Sequence, residues 1–144
     1  MFMRTVRIKR GVGVVGPILA VLSGVGVLLS SGAAAATDWS QALAMTVVTQ
    51  DYRFKPRHLQ LRLNVPYRVH LANSGKETHE FNAAKLFKQS ELGNPEVLNA
   101  DKTEILLQPG DQKDLLLMPT KRGKYKLICP DHDFAGMIGD ITVK

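Results

Sequence analysis

Residues 129–144 read CPDHDFAGMIGDITVK and contain the only cysteine of the chain, Cys129, followed by His132 and Met137. A thiolate, an imidazole and a thioether are soft or borderline donors that together favour copper, and two histidines, one cysteine and a weak axial methionine form the blue-copper arrangement. Cys129 at a strand end, His132 in the loop and Met137 at the start of the next strand can converge on one point. The segment therefore predicts a copper site that needs one more histidine.

The missing histidine is predicted to be His79. The chain has four histidines, and His79 follows the turn-like segment Asn73-Ser-Gly-Lys-Glu-Thr78. His58 and His70 lie in alternating strand patterns instead, so we expect them to face solvent.

The last quarter of the chain carries a family resemblance. Cys129-Pro-Asp-His132-x-x-Ala-Gly-Met137-x-Gly-x-Ile-Thr-Val143 resembles the copper loop of the plastocyanin and pseudoazurin branch of the cupredoxins. Upstream, Tyr52-Arg-Phe-Lys-Pro56 and Gly75-Lys-Glu-Thr-His-Glu-Phe81 are similar to small bacterial periplasmic cupredoxin-like domains. The resemblance implies a type 1 site that holds one copper ion, Cu(I) or Cu(II), through His79, Cys129, His132 and Met137, and a carrier of single electrons.

The same resemblance implies how a partner would dock. His132 would be the partly exposed ligand through which electrons leave, and Phe134, Ala135 and Gly136 would form an apolar rim. Asp133 also lies in this rim, where we expect it to favour a redox partner (a cytochrome, oxidase or reductase) with a basic patch. Plastocyanins usually carry asparagine directly after the first histidine, whereas this chain has Glu80, so the bond that this asparagine makes is not expected here.

The N-terminus has the plan of a secretory signal peptide. Four basic residues without an acid precede an apolar run from Val12 to Leu29 and a small-residue tail that ends at Ala36. We predict a leader at residues 1–36, a copper-binding domain at 37–144 and a periplasmic location; an uncleaved membrane anchor is the alternative. The leader holds four of the 19 basic residues and none of the 13 acidic ones, so the formal charge falls from +6 to +2, which argues against nucleic-acid binding.

The rest of the chain predicts an all-β fold, a Greek-key sandwich of seven to eight strands. The strand candidates, found by alternation or by β-branched and apolar content between turn signals, are 45–49, 59–65, 69–71, 103–107, 115–118, 124–129 and 138–143. A short helix and a loop are expected at about 83–101, where alternation disappears.

Alternation also predicts where the ligands point, because successive strand residues face opposite sides. Cys129 shares a face with Tyr125 and Leu127, and Met137 shares one with Ile141. His79 pairs with Phe81, and Glu80 is expected to turn away.

Two other functions remain open. A soft cysteine and methionine site also holds Cu(I), so the chain could be a metal-handling protein with a metal-transport partner, a copper chaperone, resistance factor or module for iron uptake, and zinc is a third possibility. An enzyme is not expected: Cys129 and His132 lack an orienting third group, and the chain contains no His-x-His pair for an oxidase. We expect a monomer.

Overall fold

In a computed structural model, the described residues are Gly11, Gly13 and 35–144. The predicted leader therefore lies almost entirely outside the described residues and, with its cleavage site, stays a prediction. Among the residues that are described, no helix has the length and hydropathy needed to cross a membrane.

Residues 35–144 fold as two five-stranded sheets, which confirms the predicted all-β sandwich. One sheet has the order β2-β1-β4-β8-β6 and the other the order β3-β10-β9-β5-β7. The strands are β1 (Leu43–Gln50), β2 (Arg53–Lys55), β3 (His58–Leu61), β4 (Tyr67–Asn73), β5 (His79–Asn82), β6 (Ser90–Leu92), β7 (Glu104–Leu107), β8 (Gln112–Pro119), β9 (Gly123–Ile128) and β10 (Ile138–Val143). One helical turn, α1 (Ala84–Phe87), and 3₁₀ segments at Trp39–Gln41, Pro95–Val97 and Pro130–Ala135 complete the described part.

This part of the chain has ten strands where the sequence predicts seven or eight. Two of the additional strands, Arg53–Lys55 and Ser90–Leu92, have three residues each, which is too short for an alternating pattern to stand out. The predicted strand at 59–65 ends at Leu61 instead, because Asn64 adopts a positive φ of 55° and turns the chain. The predicted helix and loop at 83–101 contain α1, β6 and one 3₁₀ segment.

The core lies between the two sheets. Alternate residues of each strand point inwards, and the most deeply buried include Val47, Leu71 and Leu115 in one sheet and Ile105 and Leu127 in the other, each fully excluded from solvent. Close packing of this kind fixes the strands against one another. The sheet that contains β5, β9 and β10 thus offers a rigid frame at its end for side chains from three strands.

The pairing within that sheet brings the predicted ligands to one end. β9 and β10 are antiparallel with Ile128 opposite Ile138, so residues 129–137 form the loop between them. β5 lies on the other side of β9 and pairs with it at Asn82 and Ile128. His79, three residues before Asn82, is therefore beside the start of this loop.

Candidate metal centre

Cys129 lies directly after β9, where its side chain is 0% exposed. Its backbone N–H donates to the Met137 carbonyl at 3.2 Å, and its carbonyl accepts from the His132 N–H at 3.1 Å. The predicted inward direction of Cys129 is confirmed. These two bonds close the loop at its base and hold the thiol, His132 and Met137 next to one another.

His79 is the first residue of β5 and is 1% exposed. The turn that precedes it is organised by the buried side chain of Asn73, whose Nδ2 donates to the carbonyls of Glu77 and Leu107 at 2.8 and 2.9 Å. Asn73 Oδ1 accepts from the Gly75 N–H at 2.9 Å. One amide thus fixes both ends of the segment that delivers His79.

Replacing Asn73 with alanine is expected to destabilise the apo protein by about 2–4 kcal/mol, because it removes three hydrogen bonds and leaves backbone groups without partners. Asn82→Ala is a matched control, since the structure gives that side chain a single bond, to Glu104. Denaturant unfolding of both variants measures the difference. A loss from Asn73→Ala that is no larger than that from Asn82→Ala would contradict this role.

Three of the four predicted ligands converge. The Nδ1 atoms of His79 and His132 lie 3.9 and 3.3 Å from the Cys129 Sγ, and the three donor atoms are all within 4.8 Å of one another. The imidazole centroids are 5.0 Å apart with the planes inclined at 68°. Both histidines therefore turn the same ring nitrogen toward the sulfur.

Met137, the fourth predicted ligand, is completely buried directly before β10. Its N–H donates to the His132 carbonyl at 3.2 Å, and its own carbonyl accepts from Cys129. The predicted inward direction of Met137 is confirmed. The backbone thus places Met137 beside both loop ligands.

The prediction that Glu80 turns away from the core is wrong. Glu80 is only 6% exposed, the Cys129 thiol donates to its carboxylate Oε2 at 2.8 Å, and its backbone N–H donates to Sγ at 3.5 Å. β5 and β9 pair only at Asn82 and Ile128. At Glu80 the Cys129 sulfur, instead of a backbone carbonyl of β9, accepts the backbone N–H. Glu80 therefore ties the two ligand segments together despite the absence of an asparagine.

Burial and Glu80 together disfavour the thiolate. Desolvation, followed by the hydrogen bond to Glu80, raises the pKa of Cys129 to about 12. Burial and the neighbouring His132 lower the pKa of His79. At neutral pH the site thus offers a neutral imidazole, which can bind a metal, and a thiol that must lose its proton to do so.

Two glycines explain the Ala-Gly-Met-x-Gly motif. Gly136 ends the 3₁₀ segment with a φ of 85°, a left-handed conformation that side chains disfavour. At Gly139 an added Cβ would overlap the Arg57 carbonyl oxygen. The first glycine turns the chain into Met137, and the second lets β10 pass close to the strand beside it.

The predicted docking rim is on the surface. Asp133, Phe134, Ala135 and Gly136 are all exposed, and Phe134 is 85% exposed. His132 is half-buried behind them. The loop thus presents a large apolar side chain next to the more accessible of the two imidazoles.

The other two histidines of the described sheets do not join the cluster. His58 is exposed and pairs with Asp140 at 2.6 Å, and His70 is half-buried and pairs with Asp114 at 2.7 Å. His58 faces solvent as predicted, and His70 does so in part. Each ring contacts one carboxylate at the surface instead.

Sequence reasoning missed two side chains near the cluster. Glu80 was detectable as the acid directly after His79, but alternation assigned it to the wrong face. Tyr52 lies in the turn between β1 and β2, and its ring centroid is 4.8 Å from that of His132. No sequence pattern connects this turn with the loop that contains His132.

The donor set fits copper. Two imidazole nitrogens and one thiolate sulfur in a compact group, with a methionine beside them, are the ligands of a trigonal type 1 site. A structural zinc site would instead use four cysteine or histidine ligands in a tetrahedron, and the described residues gather only three such donors.

Comparison with known proteins agrees with the fold and with copper as the cofactor. Copper-resistant cuproprotein CopI of Rubrivivax gelatinosus is 27% identical over 112 residues, 73% of this chain and 68% of that protein. CopI of Pseudomonas aeruginosa is 26% identical over 137 residues, 70% of this chain and 76% of that protein. The structure of auracyanin B matches with a TM-score of 0.54 at 20% identity, over 72% of this chain and 90% of that one. The model of the cupredoxin-like domain matches residues 19–143, and the chain belongs to the cupredoxin-like family.

Proposed function

We propose that this chain is an exported copper protein that carries single electrons between periplasmic redox partners. His79, Cys129, His132 and Met137 would hold one copper ion. The observation that supports this most is a group of two imidazole nitrogens and the Cys129 Sγ within 4.8 Å of one another. His79 comes from the start of a strand, and Cys129 and His132 come from a separate loop.

The bound metal would supply the one-electron couple between Cu(I) and Cu(II). The protein supplies a fixed set of donors: Cys129 is held by the Glu80 and Met137 backbones, and His79 by the turn around Asn73. A rigid ligand frame keeps the geometry similar in both oxidation states, so little rearrangement accompanies transfer. Apolar packing and hydrogen bonds at the sulfur then set the potential.

The rim at residues 133–136 gives this carrier a contact surface. Phe134 and Ala135 are exposed beside the half-buried His132, so a partner that covers them would come close to the centre. Asp133 adds a negative charge at the edge of the rim. This arrangement favours a redox protein with an apolar patch bordered by basic residues, and no enzymatic step is proposed for the chain itself.

The proposal is tested by adding Cu(II) to the purified protein. A thiolate-to-copper charge-transfer band in the visible range should appear, disappear on reduction and return on oxidation, and voltammetry should be reversible. A protein that stays colourless, or one whose colour is lost without recovery, would contradict the carrier function.

A second candidate is copper resistance in the periplasm without a carrier role. It is favoured by the two relatives named copper-resistant cuproproteins and by the contact between Glu80 and the Cys129 thiol, which opposes permanent metal binding. Deletion of the gene separates the two: copper-sensitive growth with normal respiration supports resistance, whereas impaired respiration without copper sensitivity supports the carrier.

A further inference from the structure

The ring of Tyr52 contacts both imidazoles of the metal centre. Its centroid lies 4.8 Å from that of His132, with the planes inclined at 45°, and 6.1 Å from that of His79, edge to face. Metal-binding histidines usually donate their second N–H to a carboxylate, a carbonyl or water. Within residues 35–144, the only hydrogen-bond contact recorded for the His132 ring is with Cys129 Sγ, so the Tyr52 ring is the main protein group available to orient it.

The backbone at Tyr52 is unfavourable for a tyrosine. Gln50 pairs with Arg53, which leaves Asp51 and Tyr52 as the two central residues of the hairpin turn, and their φ values are 48° and 59°. Turns with positive φ at both central positions prefer glycine at the second one. A bulky residue there is strained, and strain of this kind tends to occur at functional sites.

Burial does not account for a tyrosine at this position, because Tyr52 is 42% exposed. Tyr52 lines two surface grooves, of about 400 and 530 Å³. The first groove extends to His79 and the second to Ala135 and Gly136. The tyrosine thus stands between solvent and the two imidazole rings.

We propose that Tyr52 is a positioning residue that holds the His132 ring in its binding orientation and shields the metal from small anions and competing chelators. This inference rests on the proposed copper site. The ring, rather than the hydroxyl, performs the role, because the contacts of Tyr52 are between ring faces and edges.

Three variants test this: Tyr52→Gly, Tyr52→Phe, and Leu43→Ala, which removes a similarly exposed apolar side chain at the opposite end of β1. Glycine suits the turn, so the apo Tyr52→Gly protein should be at least as resistant to heat as the parent. Its Cu(II) form should nevertheless bind azide at least tenfold more tightly and lose copper to a chelator at least tenfold faster. Tyr52→Phe should restore both values to within about threefold, and Leu43→Ala should match the parent.

A measurement on the apo protein separates this inference from the proposed function. Nuclear magnetic resonance should show His132 ring protons shifted by the Tyr52 ring current, with the shift lost in Tyr52→Gly and kept in Tyr52→Phe. Equal azide binding and copper release in parent and Tyr52→Gly would overturn the inference and leave the copper site intact, and so would a Tyr52→Phe protein that behaves like Tyr52→Gly. A parent protein that binds no copper would overturn both.

Discussion

Cys129→Ser is expected to abolish the visible band of the copper-loaded protein and to lower its copper affinity by more than about 100-fold. The band requires a thiolate, and a serine hydroxyl at the same place is neither a strong donor to copper nor ionised at neutral pH. Loss of a group that merely supports a ligand typically costs 10–100-fold in metal affinity, so loss of the ligand itself should cost more. Absorption spectroscopy and competition with a copper chelator measure the two effects.

Two histidine variants accompany Cys129→Ser: His79→Ala is a second test of the ligands, and His58→Ala is the matched control. His79→Ala should open the site and remove or strongly shift the band, whereas His58→Ala should leave it unchanged because His58 pairs with Asp140 on the exposed face of β3. Serine is close in volume to cysteine and can accept the Glu80 N–H, so the fold should survive in Cys129→Ser. A band that persists in Cys129→Ser, or that is unchanged in His79→Ala, would show that the ligands are assigned incorrectly.

The candidate metal centre was predictable from the sequence where its residues lie in, or next to, regularly alternating strands. Cys129 and Met137 flank one loop between two regular strands, β9 and β10. Their spacing indicates a ligand set, and the alternation of each strand predicts that both side chains point inwards. His79 was predictable because it follows a turn-like segment. β2 and β6 were not predicted, because three residues are too few to show an alternating pattern.

Alternation fails where strands stop pairing. Glu80 occupies the phase that normally faces solvent, but the neighbouring strand ends there and the Cys129 thiol takes its place, so the carboxylate turns inwards. The position of Tyr52 beside His132 was not predictable for another reason. Tyr52 contacts His132, which is 80 positions away in the sequence. The turn that brings them together gives Tyr52 a positive φ, and a tyrosine at this position does not predict such a turn.

Glu80→Gln is expected to tighten Cu(I) binding at pH 7 by about tenfold or more. In the parent, the thiol donates to the carboxylate, and this bond contributes to the rise in the pKa of Cys129 to about 12. Glutamine keeps the shape, removes the negative charge and can donate an N–H to the sulfur, so the pKa of the thiol should fall by the part that Glu80 causes, while the larger part, caused by desolvation, remains. Each unit of that fall makes the thiolate about tenfold more available.

The pH dependence of copper binding should change in the same variant. Copper displaces the thiol proton, so apparent affinity rises with pH by about tenfold per unit while the thiol stays protonated in the apo protein. In the parent this rise should continue toward pH 12, whereas in Glu80→Gln it should level off at a lower pH. Glu91→Gln, an exposed acid in the other sheet, removes the same charge far from the sulfur and should follow the parent.

The reduction potential should also change in Glu80→Gln, in a direction that the lost charge determines. Removing a negative charge beside the metal destabilises Cu(II) more than Cu(I), so the potential of Glu80→Gln should rise. A tenfold change in the relative affinity for the two ions corresponds to about 59 mV for one electron, and we expect a rise of that order. A potential and a pH profile that both equal those of Glu91→Gln would mean that the carboxylate does not influence the sulfur. A confirmed rise would mean that Glu80 holds the potential below the value that the other ligands would set. Tighter Cu(I) binding in Glu80→Gln would mean that the contact with the thiol also keeps Cu(I) binding reversible, which is the property that a resistance protein needs and a dedicated carrier does not.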